Sequence, residues 1–474
     1  MTSGNIRFFE IYNCLSETEK KEFSEFVTLS LFSKRKTYKD ILKKLNSDPK
    51  KETIQIAFEN KRTISNRLSE LTKLVEKFLV IKRLESDKFQ NDILLLEELK
   101  ERNVNKFYEQ RFNSLSNSIL KKDLSLKKND ELYRINYLSF ENSKVKLNNE
   151  RTIDSIRKNF DIRLIQFMIE TFDYAIKEFY FRIYNPVITD NFRLSILETL
   201  DIEFIINYFK KNLVEYYPVV SFYNYILKAF LNLDDTYSYN TAKKIFSKEL
   251  NNVSKDLRSV LYKYMFEYFI VRMNYKRQSS SKELFDLVND AIKEELLENE
   301  FKSDTYNSAF TNYTMNALSL HKIQWAEEFI DKFGKFLPQE NRENGVLQCK
   351  AFVEYYKSNF KECKMYAGKV KKINTYYYFN SSKLFLQSCF ELGSLEECYA
   401  EIKRLQEYLR LQKNSNETLT KYAHEFCLCF ILLLRLNENP VSNNYIKLEF
   451  ELNKNGIGGK TWIEKKMKEI KISN

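Results

Sequence analysis

The chain contains one cluster of histidine and cysteine residues, formed by His424, Cys427 and Cys429. A zinc site needs three or four ligands that converge tetrahedrally. On a single helix His424 and Cys427 share a face, whereas Cys429 points elsewhere. The apolar neighbours Phe426 and Phe430 indicate a buried core helix, in which free cysteines are common. We therefore predict no metal site in this cluster.

General acid-base catalysis needs convergent polar groups, and histidine supplies them most often. The chain has only two histidines, His321 and His424. The acidic residues are spread as on solvated helix faces, with a local excess between Glu283 and Glu300. No pair stands out as an acid and base couple, so the sequence predicts no catalytic residues and no enzyme.

A second chemical pattern lies near the C-terminus, where residues 446–452 alternate like a strand and lead into the glycine-rich residues 455–461. Strand, glycine-rich loop, Lys-Thr and helix is the order of a phosphate-binding P-loop. However, Lys454 stands where the first glycine belongs, and no further strands exist to form the sheet that holds such a loop. We interpret this segment as a turn before a final helix, Trp462 to Ile470, and predict no cofactor.

The segment from Tyr38 to Lys82 can be read as a helix-turn-helix, with its recognition helix at Thr63 to Lys77. Arginine and asparagine are the residue types that read guanine and adenine. Residues of suitable type that would face the groove are Arg62, Ser65, Asn66, Arg67 and Lys73. The alternative is an ordinary three-helix packing unit with a solvated polar face, because this motif has no strict residue signature.

Composition limits the fold to helices. The 474 residues include only 8 glycines and 5 prolines, fewer than the tight turns of a β-rich chain require. With 38 Phe and 31 Tyr the chain is apolar enough to fold rather than remain disordered. The formal charge of +12 fits an acidic partner such as nucleic acid, or else a basic excess scattered over solvated surface.

The sequence features that indicate a cellular compartment favour the cytoplasm. The first ten residues lack the pattern of a secretory signal. The most apolar stretches, Phe160 to Tyr184 and Phe426 to Leu436, are interrupted by charges or too short to span a bilayer. Seven cysteines without regular spacing fit reduced thiols better than a disulfide framework. We expect a soluble cytoplasmic protein with no membrane partner.

An internal repeat organises the C-terminal half. Similar segments begin at Trp325, Phe360 and Leu395, a spacing of 35 residues twice. Each follows a short polar turn and an apolar helical stretch, and each starts a second helix. Cys363 and Cys398 occupy the same place in successive repeats, where a small side chain allows two helices to approach closely. These patterns predict helical hairpins.

The repeated hairpins, together with Gly393 before a second helix and Pro338 after one, resemble the tetratricopeptide family between Tyr306 and about Leu411. The resemblance implies a right-handed α-solenoid whose concave groove binds peptides or partner proteins. The runs 15–26 and 62–71 are also similar to a group of uncharacterised bacterial helical-repeat proteins, which implies architecture only.

We expect an all-α chain of three parts: a helical N-terminal domain at 1–85, an α-solenoid at 86–440 with its clearest repeats at 306–411, and a C-terminal tail with a final helix at 441–474. In the first part Ser16 and Glu19 have the spacing of a capping box. The helix Thr63 to Lys82 has an apolar face, formed by Ile64, Leu68, Leu71, Val75 and Phe78.

The predicted function is an interaction scaffold that binds a protein partner on its concave solenoid surface. The alternative is a nucleic-acid-binding regulator that uses the basic N-terminal block. The sequence leaves the oligomeric state and the partner open.

Overall fold

The computed structural model describes residues 3–28, 38, 41–42, 61–145, 149–184, 192–276, 281–303, 308–372, 375–411, 417–453 and 459–471. Across these residues the regular secondary structure is helical, and isolated bridges, such as the parallel one between Leu124 and Val253, join no strands. The prediction of an all-α chain is confirmed. The chain forms two compact units: residues 1–122 with 127–162, and residues 123–126 with 163–474.

The first unit begins with three helices that share one core. Its helices are α1 Ser3–Asn13, α2 Glu17–Phe26, α3 Lys61–Ser86, α4 Lys88–Glu101, α5 Asn105–Leu120, α6 Leu126–Val145 and the first part of α7 Asn149–Tyr184. Leu68, Leu71, Val75 and Phe78 of α3 are buried against α1 and α2, as the helical periodicity predicts. The side chain of Ile64 lies outside the described part of the chain.

The predicted capping box is present at the start of α2. The Ser16 hydroxyl accepts from the Glu19 backbone N–H at 3.3 Å, and the Glu19 carboxylate accepts from the Ser16 N–H at 2.8 Å. The Ser16 N–H and then the Ser16 hydroxyl, which both donate to this carboxylate, lower the pKa of Glu19, and Lys82 of α3 at 3.3 Å lowers it further. Because Lys82 also reaches Glu22 at 2.6 Å, the cap ties α2 to α3.

The second unit contains the predicted hairpins. Its helices are the rest of α7, then α8 Phe192–Thr199, α9 Ile202–Asn212, α10 Tyr217–Leu231, α11 Thr236–Lys248, α12 Lys255–Lys276, α13 Ser281–Lys293, α14 Leu297–Ser303, α15 Ser308–Ser319, α16 Ile323–Phe333, α17 Gln339–Tyr356, α18 Phe360–Lys369, α19 Thr375–Glu391, α20 Leu395–Leu411, α21 Glu417–Glu438, α22 Ser442–Leu452 and α23 Lys460–Glu469. The three predicted repeats are the pairs α15/α16, α17/α18 and α19/α20. Each first helix packs on its own second helix and on the first helix of the next pair.

The turns inside the three hairpins share one backbone geometry. The residue two positions before each second helix has a positive φ: 57° at His321, 62° at Ser358 and 71° at Gly393. The following N–H then donates back to a carbonyl five residues earlier, as from Ser394 to Cys389 at 2.8 Å. This is the Schellman arrangement, which satisfies the free carbonyls at a helix end. The turns stand 37 residues apart from His321 to Ser358 and 35 residues apart from Ser358 to Gly393, so the predicted spacing of 35 holds only between the second and third hairpins.

The C-terminal segment corrects one prediction. Residues 446–452 belong to helix α22 and do not form a strand. Leu448 and Leu452 lie four residues apart and are both buried, so helical rather than alternating periodicity governs the segment. Gly459, with φ of 78°, precedes α23, which is the predicted final helix. Residues 454–458 of the glycine-rich run lie outside the described part.

Candidate partner-binding cleft

The histidine and cysteine cluster lies on α21. Cys427 and Cys429 are buried, whereas His424 is exposed. Among the described residues, no three His, Cys, Asp or Glu side chains are placed to hold a metal ion together. Burial raises the pKa of the Cys427 thiol to about 12, so this thiol stays protonated near neutral pH.

The repeated cysteines face the interior of the hairpins. Cys363 and Cys398 are fully buried, and burial raises the pKa of Cys363 to about 11. Counted from the turn residues Gly393 and His321, the position that corresponds to Cys398 in the first hairpin is Ala326, which is also fully buried. A small side chain recurs there because the two helices of a hairpin approach each other closely. These thiols have the surroundings of packing residues. The predicted alignment from Trp325 would instead give Glu328, which is exposed, so that alignment is two residues out in the first hairpin.

The residues proposed for nucleic-acid contact begin helix α3. Asn66 and Lys73 are exposed, and their separation of seven residues places them on nearly the same helix face. Arg62 and Ser65 lie in the first turns of α3, and their side chains fall outside what the structure describes. The structure therefore displays two of the five side chains to solvent.

Arg67, the fifth of these residues, packs against its own domain. Its guanidinium carbon lies 5.7 Å from the ring centroid of Tyr38, a cation-π distance. One guanidinium nitrogen lies 3.9 Å from the Glu70 carboxylate. Since its side chain is only 24% exposed, Arg67 stabilises the packing of this unit rather than projecting toward a base.

In two of the three hairpins the first helix is largely buried, whereas α17 exposes Gln339, Glu340, Arg342, Glu343 and Tyr356. Helix α15 exposes only Ser308 and Ser319 at its two ends. Among the described residues of α19, no side chain is more than partly exposed. Accessible side chains are concentrated on the second helices, such as Glu328 and Asp331 on α16. Surfaces available to a partner in this part of the unit therefore lie mainly along the second helices.

A cleft opens between two successive hairpins, with α16 and α18 as walls and α17 as floor. Its volume is about 140 Å³, and it is lined by Glu327, Ile330, Asp331, Lys350, Val353, Glu354 and Tyr366. Water occupies about 30 Å³ per molecule in the liquid, so the cleft has room for one large side chain. Ile330 and Val353 are each only 2% exposed, so they lie beneath the surface of the cleft, and most of the accessible lining is polar.

Charged groups of the cleft pair across the two hairpins. The Lys357 ammonium lies 2.6 Å from the Glu327 carboxylate and 3.1 Å from that of Glu354. These hydrogen bonds, that of Glu327 first, raise the pKa of Lys357. Lys350 and Asp331 make a looser pair at 3.8 Å, and Asp331 remains 76% exposed. The cleft thus binds one ammonium of its own chain and presents a further carboxylate to solvent.

One side of the cleft is acidic and the other is basic. Residues 281–331, which include the wall α16, contain four lysines and eleven Asp or Glu residues, whereas residues 332–372, which include α17 and α18, contain ten Lys or Arg and four Glu residues. Helix α13 adjoins α16, because the Trp325 indole N–H donates to the Asn289 side-chain oxygen at 3.0 Å. The excess of carboxylates therefore continues from α13 to the wall of the cleft.

Sequence reasoning did not identify this cleft. The local acidic excess on α13 was visible in the sequence, but the cleft carboxylates Glu327, Asp331 and Glu354 come from two hairpins. Only the packing of α16 against α17 brings them together. The available signal was the position of Glu327 and Asp331 four residues apart, which places both on one face of the second helix.

The fold and the cleft define an all-α protein of packed helical hairpins. No protein-family model, no curated protein and no solved structure matches the chain. Within the described part, no helix combines the length and the apolar character needed to cross a bilayer.

Proposed function

We propose that this protein is a cytoplasmic interaction scaffold whose hairpins form a right-handed, tetratricopeptide-like α-solenoid. The observation that carries the proposal is the cleft between α16, α17 and α18, which is open to solvent and lined mainly by charged side chains with Tyr366 beside them. Polar groups placed around a concave surface fix the orientation of a bound segment.

Contacts between residues about one repeat apart support the solenoid. The Asn316 amide donates to the Ser281 carbonyl at 3.1 Å, 35 residues away in sequence. Lys364 of α18 pairs with Glu397 of α20 at 2.9 Å, 33 residues away. In a solenoid each repeat contacts its sequence neighbours, and these bonds follow that pattern.

The proposal includes no catalytic step and no cofactor. Buried thiols with raised pKa values, such as Cys363, are poor nucleophiles. The carboxylates of the cleft pair with lysines, as Glu327 does with Lys357, which suits recognition of charge.

A nucleic-acid-binding regulator remains the second candidate, and one observation favours it. Asn66 and Lys73 lie exposed on nearly the same face of α3. In this proposal they contact nucleic acid while the hairpins bind a second partner. Neutralising phosphates with lysines makes such binding sensitive to salt.

The test is affinity capture of the tagged full-length protein from its native host, divided into nuclease-treated and untreated halves. Mass spectrometry and nucleic-acid quantification are applied to both. A stoichiometric protein partner that survives nuclease supports the scaffold. Nucleic acid in the untreated half, with partners lost on digestion, contradicts it and supports the regulator. Changing Lys73 to Glu should abolish binding only in the second case.

A further inference from the structure

The first part of helix α7 turns most of its apolar side chains away from its own chain. Between Asn149 and Ile162 it carries four apolar residues, and only Ile162 is buried. The other three are half exposed or more: Ile153 at 50%, Ile156 at 52% and Phe160 at 61%. Their spacing of three and four residues places them on one face of the helix. This apolar face therefore lacks the cover that an amphipathic helix normally finds in a core.

Helix α6 carries a matching stripe of aromatic side chains. Tyr137 is 47% exposed, and its ring centroid lies 6.4 Å from those of Tyr133 and Phe140, which are partly exposed. The spacing of four and three residues places the three rings on one face of α6. The first unit thus has exposed apolar stripes on two consecutive helices.

The two stripes lie on the same side of the α6/α7 hairpin. The Ser155 hydroxyl donates to the Ser139 hydroxyl at 3.3 Å, and both serines are buried. Ser139 stands six residues before the end of α6 and Ser155 six residues after the start of α7, so the helices run antiparallel where they meet. With about 100° of rotation per residue, each stripe lies about 100–160° around its helix from its serine, in the same sense. In antiparallel helices equal rotations point to one side, so the six residues form one surface, the α6/α7 patch.

The α6/α7 patch is large enough for a protein interface. Half the area of one large side chain is about 100 Å², so its four most exposed residues together present about 400 Å² of mostly apolar surface. Contiguous apolar patches of this size are often functional. Interfaces are about 60% apolar, so the patch corresponds to an interface of about 700 Å² per partner, close to the roughly 800 Å² of stable complexes.

The charges around the patch favour an identical partner. The exposed charged side chains described in this part of α7 are two acids and two bases, Glu150, Asp154, Arg157 and Lys158. They sum to zero in a chain with a formal charge of +12, whereas recognition of an acidic or a basic partner needs an excess of one sign. Two copies of this face can therefore meet without the repulsion between surfaces of like charge.

We propose that two copies of this protein associate through the α6/α7 patch, packed face to face about a twofold axis. The contact is formed in each copy by Tyr133, Tyr137, Phe140, Ile153, Ile156 and Phe160. Such an isologous contact uses the same surface in both subunits and closes on itself, so it yields a dimer and not a chain of copies. The proposal concerns self-association and does not depend on the scaffold function.

The experiment is sedimentation velocity of the full-length protein between about 1 and 100 μM, because interfaces of this size reach micromolar affinity or better. The patch variant combines Ile156→Lys and Phe160→Lys. The matched control combines Ile446→Lys and Phe450→Lys on α22, where the same residue types also stand four residues apart and are 61% and 65% exposed. Circular dichroism verifies that both variants remain folded.

The wild type and the α22 control should both sediment as dimers at the upper end of this range. In the patch variant the dissociation constant should rise about tenfold or more, because the contact would bury two ammonium groups from each copy. A third variant, Ile156→Glu with Phe160→Glu, should also be monomeric alone. On mixing it should associate with the patch variant, since opposite charges then meet across the twofold axis.

Other results would overturn the proposal in distinct ways. A wild type that stays monomeric over the whole range would refute it, and a different protein captured by the wild type but not by the patch variant would then be the occupant. Dimers that survive in the patch variant, or that are lost in the α22 control instead, would assign the contact to another surface. Glutamate and lysine variants that do not associate on mixing would show that the two patches do not face each other.

Discussion

At equivalent positions of two Schellman turns, we predict that one substitution lowers stability and the reverse substitution raises it. Gly393 has φ of 71°, and a Cβ atom added there would meet no heavy atom within 4 Å. The whole cost of Gly393→Ala is therefore conformational. For a residue with a Cβ, the left-handed region is less stable than the right-handed region by about 1 kcal/mol or more. We expect Gly393→Ala to destabilise this turn by about 1 kcal/mol.

The reverse change at Ser358, which has φ of 62° in the preceding hairpin, should relieve the same strain. Because glycine also loses more entropy on folding, we expect Ser358→Gly to stabilise its turn by only about 0.5 kcal/mol. Gly368 provides the matched control. It lies within helix α18, where alanine is favoured over glycine by up to about 1 kcal/mol, and the nearest neighbour of an added Cβ is Phe385 at 3.4 Å.

Native-state hydrogen exchange with mass spectrometry reports each turn separately. The Ser394 N–H bonds the Cys389 carbonyl at 2.8 Å, and the Asn359 N–H bonds the Glu354 carbonyl at 2.9 Å. A loss of about 1 kcal/mol should accelerate exchange around Ser394 about fivefold in Gly393→Ala. Exchange around Asn359 should slow in Ser358→Gly. Unchanged exchange in both variants, or faster exchange in Gly368→Ala than in Gly393→Ala, would refute the reasoning.

Three further predictions concern buried groups. Burial raises the pKa of Glu267 from 4.5 to about 7, so the folded state binds this proton more tightly than the unfolded state. Stability should therefore fall by about 3 kcal/mol as the pH rises from 4.5 to 7, and Glu267→Gln should remove this dependence in urea titrations at several pH values. Gly334→Ala would place a Cβ 2.8 Å from Val346, and we expect thermal unfolding to show a loss of about 1–3 kcal/mol, restored in part by Val346→Ala. Glu401 is 7% exposed and accepts a hydrogen bond from the Ser382 hydroxyl at 2.6 Å. We expect Glu401→Ala to lower the free energy of unfolding by about 1–3 kcal/mol, and Glu401→Gln to lower it less, as measured by chemical denaturation.

The predictability of this fold differs between its elements for physical reasons. Apolar periodicity identified the buried face of α3, because Leu68, Leu71, Val75 and Phe78 recur at helical spacing. Periodicity failed at residues 446–452, where exposed Ile446 and Phe450 accompany buried Leu448 and Leu452 and so imitate alternation. A short apolar run cannot be assigned by alternation alone when exposed apolar residues fill the other positions.

Candidate sites were harder to predict than helices, since function depends on which elements meet. Arg67 has the residue type expected on a recognition helix, yet its guanidinium lies over Tyr38, a residue 29 positions earlier. Conversely, Glu327 and Glu354 carry no motif in the sequence, and they share an ammonium only because α16 packs on α17. A single sequence contains the residue types but not these neighbours.

Within this chain, the backbone geometry of the turn recurs in more hairpins than the sequence repeat does. Two further turns, at Asn103 and Glu295, have φ of 58° and 55° and stand two residues before α5 and α14. Their following N–H groups, from Val104 and Leu296, also donate to carbonyls five residues earlier, at 2.9 and 3.0 Å. Together with His321, Ser358 and Gly393, five different residue types adopt one conformation that favours glycine. The backbone hydrogen bonds and the packing of the following helix hold the turn in each case, so the turn does not require a particular residue type. For this reason the repeat can be recognised in the sequence of only three of these hairpins. The same reasoning predicts that glycine is tolerated at all five positions.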